Sequence, residues 1–297
     1  NVFYILLSLF LFQTVNATTI YVGTAYPIKK IKQAIAIAKD GDTIIVTSGI
    51  YKEGNIVINK KIVFIGKNFP IIDGQKKYEV LSIKADSVLV QGIKIIRSGF
   101  AALEDPCGIK VYNKQYVRIF DNYLQDNFFG IYLQNSTNCI IKGNTIIAFG
   151  KEEQLIGNGI HCWKSDNLQI VANNVRGHRD GIYFEFVTNS VIWRNISEKN
   201  IRYGLHFMFS NDDSYISNLF KNNGAGVAVM FSKSLKMFNN TFEENWGDSA
   251  YGLLLKEISD GYIFNNHFIK NTAAIYMEGT SRIKMEKNVF ESNGWAI

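Results

Sequence analysis

One phrase recurs eight times along this chain and limits what it can fold into. It reads Gly-apolar-x-apolar, then an Asn at the fourteenth position on, then usually a second Asn five residues later. The phrase opens at Gly108, Gly130, Gly159, Gly181, Gly204, Gly226, Gly252 and Ala274, in steps of 22, 29, 22, 23, 22, 26 and 22 residues. The first Asn never fails: Asn122, Asn144, Asn173, Asn195, Asn218, Asn240, Asn266 and Asn288. A fixed period of this length marks a solenoid, in which each coil buries its apolar side only by stacking on its neighbours.

The coils are strands. Ile131 and Leu133, Ile182 and Phe184, Leu205 and Phe207, and Leu253 and Leu255 alternate with other residues, and period two places each pair on one side of a strand. β-branched and aromatic residues dominate, and Pro occurs only at Pro27, Pro70 and Pro106. Coils of about 22 residues, spaced about 4.8 Å apart, predict an all-β, right-handed parallel β-helix. Its corner Asn residues should bond from coil to coil, as stacked amides do. Phe220, Phe242, Phe268 and Phe290 share one offset and should stack as an interior column. A leucine-rich horseshoe would need a Leu consensus and helical returns, and neither is present.

The run Val2 to Phe12 is apolar and uncharged, and Val15-Asn16-Ala17 ends it with small residues. It reads as a secretory signal peptide over residues 1–17, with its first residues missing and no membrane span left after cleavage. Residues 18–297 then form a single β-helix domain. Ala296-Ile297 begins a ninth repeat, so further coils are expected beyond it. Between Ile28 and Lys39 the apolar residues follow a helical period, which predicts an N-terminal capping helix ahead of a first strand at Thr43. The formal charge of +6 comes from scattered basic residues and does not mark a nucleic-acid binder. Cys139 and Cys162 align with core positions, while Cys107 is left over, and no disulfide can be assigned.

If offsets one and three point inward, offsets two and four face outward. The second offset reads Lys110, Tyr132, His161, Tyr183, His206, Ala228, Leu254, Tyr276. The fourth reads Tyr112, Gln134, Trp163, Glu185, Met208, Met230, Lys256, Glu278. A solvated strand face would carry Lys, Glu, Thr and Ser; this aromatic and Met stripe predicts an interaction surface. Its expected contacts are Tyr132, Trp163, Tyr183, Leu254 and Tyr276, with Trp246 on a bordering insertion. Three insertions, Phe100 to Cys107, Lys151 to Gly157 and Trp246 to Ala250, lie beside it. Within the stripe, His206, Met208 and Met230 form a soft donor set suited to Cu(I). Glu185 and His161 are weaker additions, His161 being two coils, or about 10 Å, from His206.

The motifs Asp180-Gly-Ile-Tyr-Phe-Glu-Phe, Arg202-Tyr-Gly-Leu-His-Phe-Met-Phe-Ser-Asn, Gly224-Ala-Gly-Val-Ala-Val-Met-Phe-Ser, Asn245-Trp-Gly-Asp-Ser-Ala-Tyr-Gly and Ile275-Tyr-Met-Glu-Gly-Thr-Ser resemble the NosD family. That resemblance runs over the whole chain. It implies a pectin-lyase-like fold and a periplasmic protein needed for maturation of nitrous oxide reductase. It further implies work with an ABC transporter and a copper chaperone to assemble the reductase's copper–sulfide cluster, with copper as transient cargo. The family's members are longer than this chain. No ligand set is carried over from it, so His206, Met208 and Met230 rest on their own chemistry.

Two other readings stay open. Polysaccharide lyases, epimerases and hydrolases use the same fold, and fold alone does not decide function. Against an enzyme, Glu185 and Glu278 stand four coils apart, about 19 Å, where a glycosidase needs two carboxyls within roughly 5–10 Å. Loop carboxylates Glu104, Asp105, Glu152, Glu153 and Asp248 could still meet. A metal-free docking scaffold is the other reading, since Tyr, Trp and Met suit protein contacts.

Overall fold

The computed structural model describes residues 17–100, 105–248 and 250–297. The proposed signal peptide therefore lies outside the described residues, apart from Ala17. The chain winds into a parallel β-solenoid of about twelve turns, at about 23 residues per turn. Short strands repeat down the stack in three columns. Two columns merge at the coil corners into one sheet of 21 strands, and the third forms a separate sheet of 11. Every pairing between strands is parallel, as it must be when each coil lies on the last in the same sense.

The opening glycines have a steric cause. A Cβ built on Gly226 would stand 2.4 Å from the carbonyl oxygen of Gly252 on the next coil, so the backbones pass too closely for any side chain. The Asn column is equally physical. Asn195 donates from its backbone N and its Nδ2 to Oδ1 of Asn218, at 2.9 and 3.0 Å, and from Nδ2 to the Ile170 carbonyl at 2.8 Å. The same bonds repeat from Asn122 to Asn288. A second ladder joins Asn200, Asn223, Asn245, Asn271 and Asn293. These amides satisfy corner backbone groups that no strand reaches. The phenylalanine column is present, with ring centroids 4.6 to 5.5 Å apart from Phe220 to Phe290.

Three details differ from expectation. The first strand is Thr19–Val22, paired with Thr43–Val46, so Thr43 opens the second. The helix is Ile31–Ile37, shorter than the periodicity suggested, and it lies between those strands rather than ahead of them. It buries Ile31, Ala34 and Ile35. All three cysteines are free and buried, and burial raises each thiol's pKa, that of Cys139 to about 11, so none is poised as a thiolate. Cys107 packs in a small cluster with Phe129 and Tyr132.

Candidate functional site

Register places the outward stripe where the repeats put it. Tyr132, His161, Tyr183, His206, Ala228, Leu254 and Tyr276 are successive partners across neighbouring coils. Gln134, Trp163, Glu185, Met208, Met230, Lys256 and Glu278 form the next column, and Lys256 pairs with Glu278 at 3.4 Å. The face is more enclosed than alternation alone implied. Lys110, Tyr132, His206, Ala228 and Leu254 are buried; His161, Trp163, Tyr183, Glu185, Met208 and Met230 are half-buried. Tyr276 and Trp246 are exposed. Large side chains in adjacent coils lean on one another, and Phe128 and Phe129, just before Gly130, fold over the column. Tyr132 and Leu254 are thus supports beneath the surface rather than contact residues.

The column is a ladder of alternating phenol and imidazole. Ring centroids are 4.4 Å apart for Tyr132–His161, 4.8 Å for His161–Tyr183 and 5.0 Å for Tyr183–His206. The Tyr183 ring stands between the two histidines, so they cannot share one ion. The Tyr183 hydroxyl donates to Met208 Sδ at 3.7 Å, and Met208 faces Met230 across the coil boundary. His206 is buried between Tyr183 and Tyr203; its Nε2 has no hydrogen-bond partner, and its Nδ1 faces the Asp180 carboxylate. Among the described residues, no three His, Cys, Asp or Glu side chains group as a metal site, so any ion held here would rest on the thioethers.

Asp180, which precedes the opening Gly181, is the residue the stripe reading missed. Its fully buried carboxylate accepts from Arg202 Nε and Nη2 at 3.0 and 2.7 Å, and its Oδ2 lies 3.5 Å from His206 Nδ1. Burial alone would raise its pKa, but the His206 and Arg202 interactions outweigh that and hold it below the usual carboxylate value. Glu153 approaches Arg202 at 4.0 Å from the neighbouring insertion. A lone Asp before one repeat's glycine was the available signal. His161 is pushed down to about 3 by burial and by Arg179, so its ring is neutral at physiological pH. Burial and Glu185 raise Tyr183 to about 12, which keeps it a hydroxyl donor. Beside His161 opens a groove of about 450 Å³, walled by Phe100, Phe128 and Phe129 and carrying Asp105, Gln154, Arg179, Tyr183 and Glu185.

Fold and face together define a parallel β-solenoid of the pectin-lyase type, with aromatic, imidazole and thioether groups gathered on its outward sheet. Residues 141–297, more than half of the chain, match the family described as "Periplasmic copper-binding protein (NosD)". The chain belongs to the NosD family. That family is periplasmic, and among the described residues no helix is long and apolar enough to cross a membrane. No curated protein matches the sequence significantly. Among solved structures, the A-module of the mannuronan C-5 epimerase AlgE4 from Azotobacter vinelandii is similar, with a TM-score of 0.65 and 12% identity, over 86% of this chain and 88% of that one. The periplasmic alginate epimerase AlgG gives 0.58 and 15%, over 86% and 77%. PfbA, a surface adhesin of Streptococcus pneumoniae, gives 0.57 and 12%, over 89% and 87%. At these identities the likeness is one of fold.

Proposed function

We propose that this protein is a periplasmic accessory factor in maturation of nitrous oxide reductase, receiving Cu(I) as cargo for assembly of the copper–sulfide cluster. The reading is supported most by the thioether pair. Met208 and Met230 are register partners on a half-buried face, and Met208 lies two residues along from His206, whose Nε2 has no hydrogen-bond partner. Soft sulfur donors in a poorly hydrated site favour Cu(I) over zinc, calcium or magnesium. The Tyr183 hydroxyl would leave the Met208 sulfur as the ion arrived. Glu185 pairs with Met208 in register and sets a carboxylate beside the site, whereas His161 belongs to the ladder behind it. Trp163, Tyr183, Tyr276 and Trp246 are the accessible contacts for the copper chaperone, the ABC transporter or the reductase. The helix Ile31–Ile37 covers the N-terminal coils of one domain that starts after the signal peptide.

An anaerobic Cu(I) competition titration tests this, run on the wild type and on a His206→Ala, Met208→Ala, Met230→Ala variant with intact β-sheet circular dichroism. Stoichiometric binding lost only in the variant supports the copper station. Equal binding by both moves the ion elsewhere, and no binding by either leaves a metal-free docking scaffold.

A second reading, catalysis on a polysaccharide, draws on the Arg202–Asp180–His206 cluster, a carboxylate-backed imidazole of the kind used for proton transfer. Release of reducing ends or unsaturated sugars by the wild type, and not by His206→Ala, would establish it.

A further inference from the structure

Buried polar side-chain atoms without a partner are rare in native proteins and call for a cause. Six occur among the described residues, and five of them belong to Asn158, His178, Arg179 and His206, on consecutive coils of one flank. Asn158 and His178 are fully or almost fully buried, and the His206 side chain is only 8% exposed. Of these four residues, Arg179 is the one that lines the groove beside His161.

Among its described lining residues the groove carries one cation, Arg179, and two carboxylates, Asp105 and Glu185. Arg202 has Asp180, but Arg179 has no carboxylate within ion-pair range among the described residues, and its Nε is buried without a partner. His161 beside it is neutral, so Arg179 is the fixed positive charge of the cavity. Opposite that charge, Asp105, Glu185 and Gln154 supply acceptors, and the hydroxyl of Tyr183 supplies a donor. The remaining wall is phenylalanine, with Phe100 and Phe128 in edge contact at 5.1 Å and Phe100 more than half exposed. An extended peptide would have nothing to pair with, because the backbone groups of this sheet are already bonded from coil to coil. A ligand with many hydroxyls, one apolar face and one carboxylate matches all three features.

We propose that this groove binds a hexuronate unit of an acidic glycan lying along the stack. Arg179 takes the sugar carboxylate, Asp105 and Glu185 accept from its hydroxyls, and Phe100 and Phe128 cover its C–H face. This goes beyond the copper reading and does not depend on it. It concerns binding, and no bond of the sugar is broken.

Isothermal titration of the full chain, in the presence of a chelator, with galacturonate and mannuronate tetramers tests it. Neutral tetramers of galactose and mannose serve as controls. At least one acidic tetramer should bind while its neutral counterpart does not. Arg179→Gln should weaken binding by about 10- to 100-fold, the range for losing charge-assisted hydrogen bonds. Phe100→Ala, a surface truncation that leaves the core intact, should also weaken it, while Lys256→Gln on the far coils should not. Failure of both acidic tetramers to bind natively folded wild type overturns the proposal. So does binding that Arg179→Gln leaves unchanged, or equal binding of neutral tetramers. Because the chelator removes copper, none of these outcomes bears on the metal titration.

Discussion

Replacing Asn218 by Ala tests whether the corner amides hold the stack together or merely fill its corners. Asn218 Oδ1 accepts from the Asn195 backbone N and Nδ2 at 2.9 and 3.0 Å, and its own Nδ2 donates to the Ile192 carbonyl and Asn240 Oδ1, both at 2.9 Å. The side chain is buried, so truncation removes four bonds and no water replaces them. At a net value of about 0.5–1.5 kcal/mol per bond the loss spans roughly 2–6 kcal/mol. The orphaned Asn195 N–H alone accounts for about 1–3 kcal/mol of that. Asn240 Oδ1 keeps the Asn218 backbone N, which favours the middle of the range, about 3–4 kcal/mol. Asn211 is the internal control. Its Oδ1 accepts from the Lys233 backbone N at 2.9 Å in an exposed setting, where water can substitute. Its truncation should cost about 1 kcal/mol or less. Urea unfolding followed by far-ultraviolet circular dichroism, approached from both directions, reads both losses. Equal losses in the two variants, or less than about 1 kcal/mol at Asn218, would refute the argument that buried amide ladders carry the coil corners.

Two further substitutions probe buried carboxylates of opposite sign. Asp180 has a lowered pKa, so its stabilisation is complete above its ordinary value of 3.8 and is lost as pH falls through the folded value. Asp180→Asn should cost about 3–4 kcal/mol at pH 7, the lower half of the range for breaking buried pairs because Arg202 is 30% exposed, and the cost should shrink in acid; thermal melts at pH 7 and pH 3 check this. Asp213 is the reverse case. Burial raises its pKa well above 3.8, and its Oδ2 has no partner. The folded chain then holds a proton that the unfolded chain releases, so wild-type stability falls as pH rises above 3.8, by about 1.4 kcal/mol for each unit crossed up to the folded value. Asp213→Asn escapes that loss, and its melting temperature should overtake that of the wild type between pH 4 and pH 7; parallel melting curves would contradict the assignment.

The repeats made the fold readable because each column answers to one interaction: backbone approach at the glycines, amide bonding at the Asn corners and ring stacking at the phenylalanines. The first strand is not marked in the sequence because Thr19–Val22 follows the apolar run Val2 to Phe12 and carries no repeat mark. The enclosure of the outward face is unmarked for a different reason. Alternation tells which side of a strand a residue occupies, but not whether neighbouring bulk then covers it. Tyr132, buried against Cys107 and Phe129, is outward in register and inside in fact.

The Asp180 cluster shows where reading by column runs out. Asp180 and Arg202 are 22 residues apart, one coil, yet they hold different offsets, so no single column displays them as a pair. Their meeting depends on the Arg202 side chain reaching back across the coil boundary to the residue before the earlier glycine. A solenoid encodes its core in columns because burial is periodic. It encodes its chemistry in departures from those columns, since a site needs unlike groups brought together while a stack brings like groups together. The thioether face fits that rule only partly: Met208 and Met230 are a like pair within one column, and so were legible. His206, Asp180 and Arg179, which differ from their column neighbours, mark where this molecule does something other than stack.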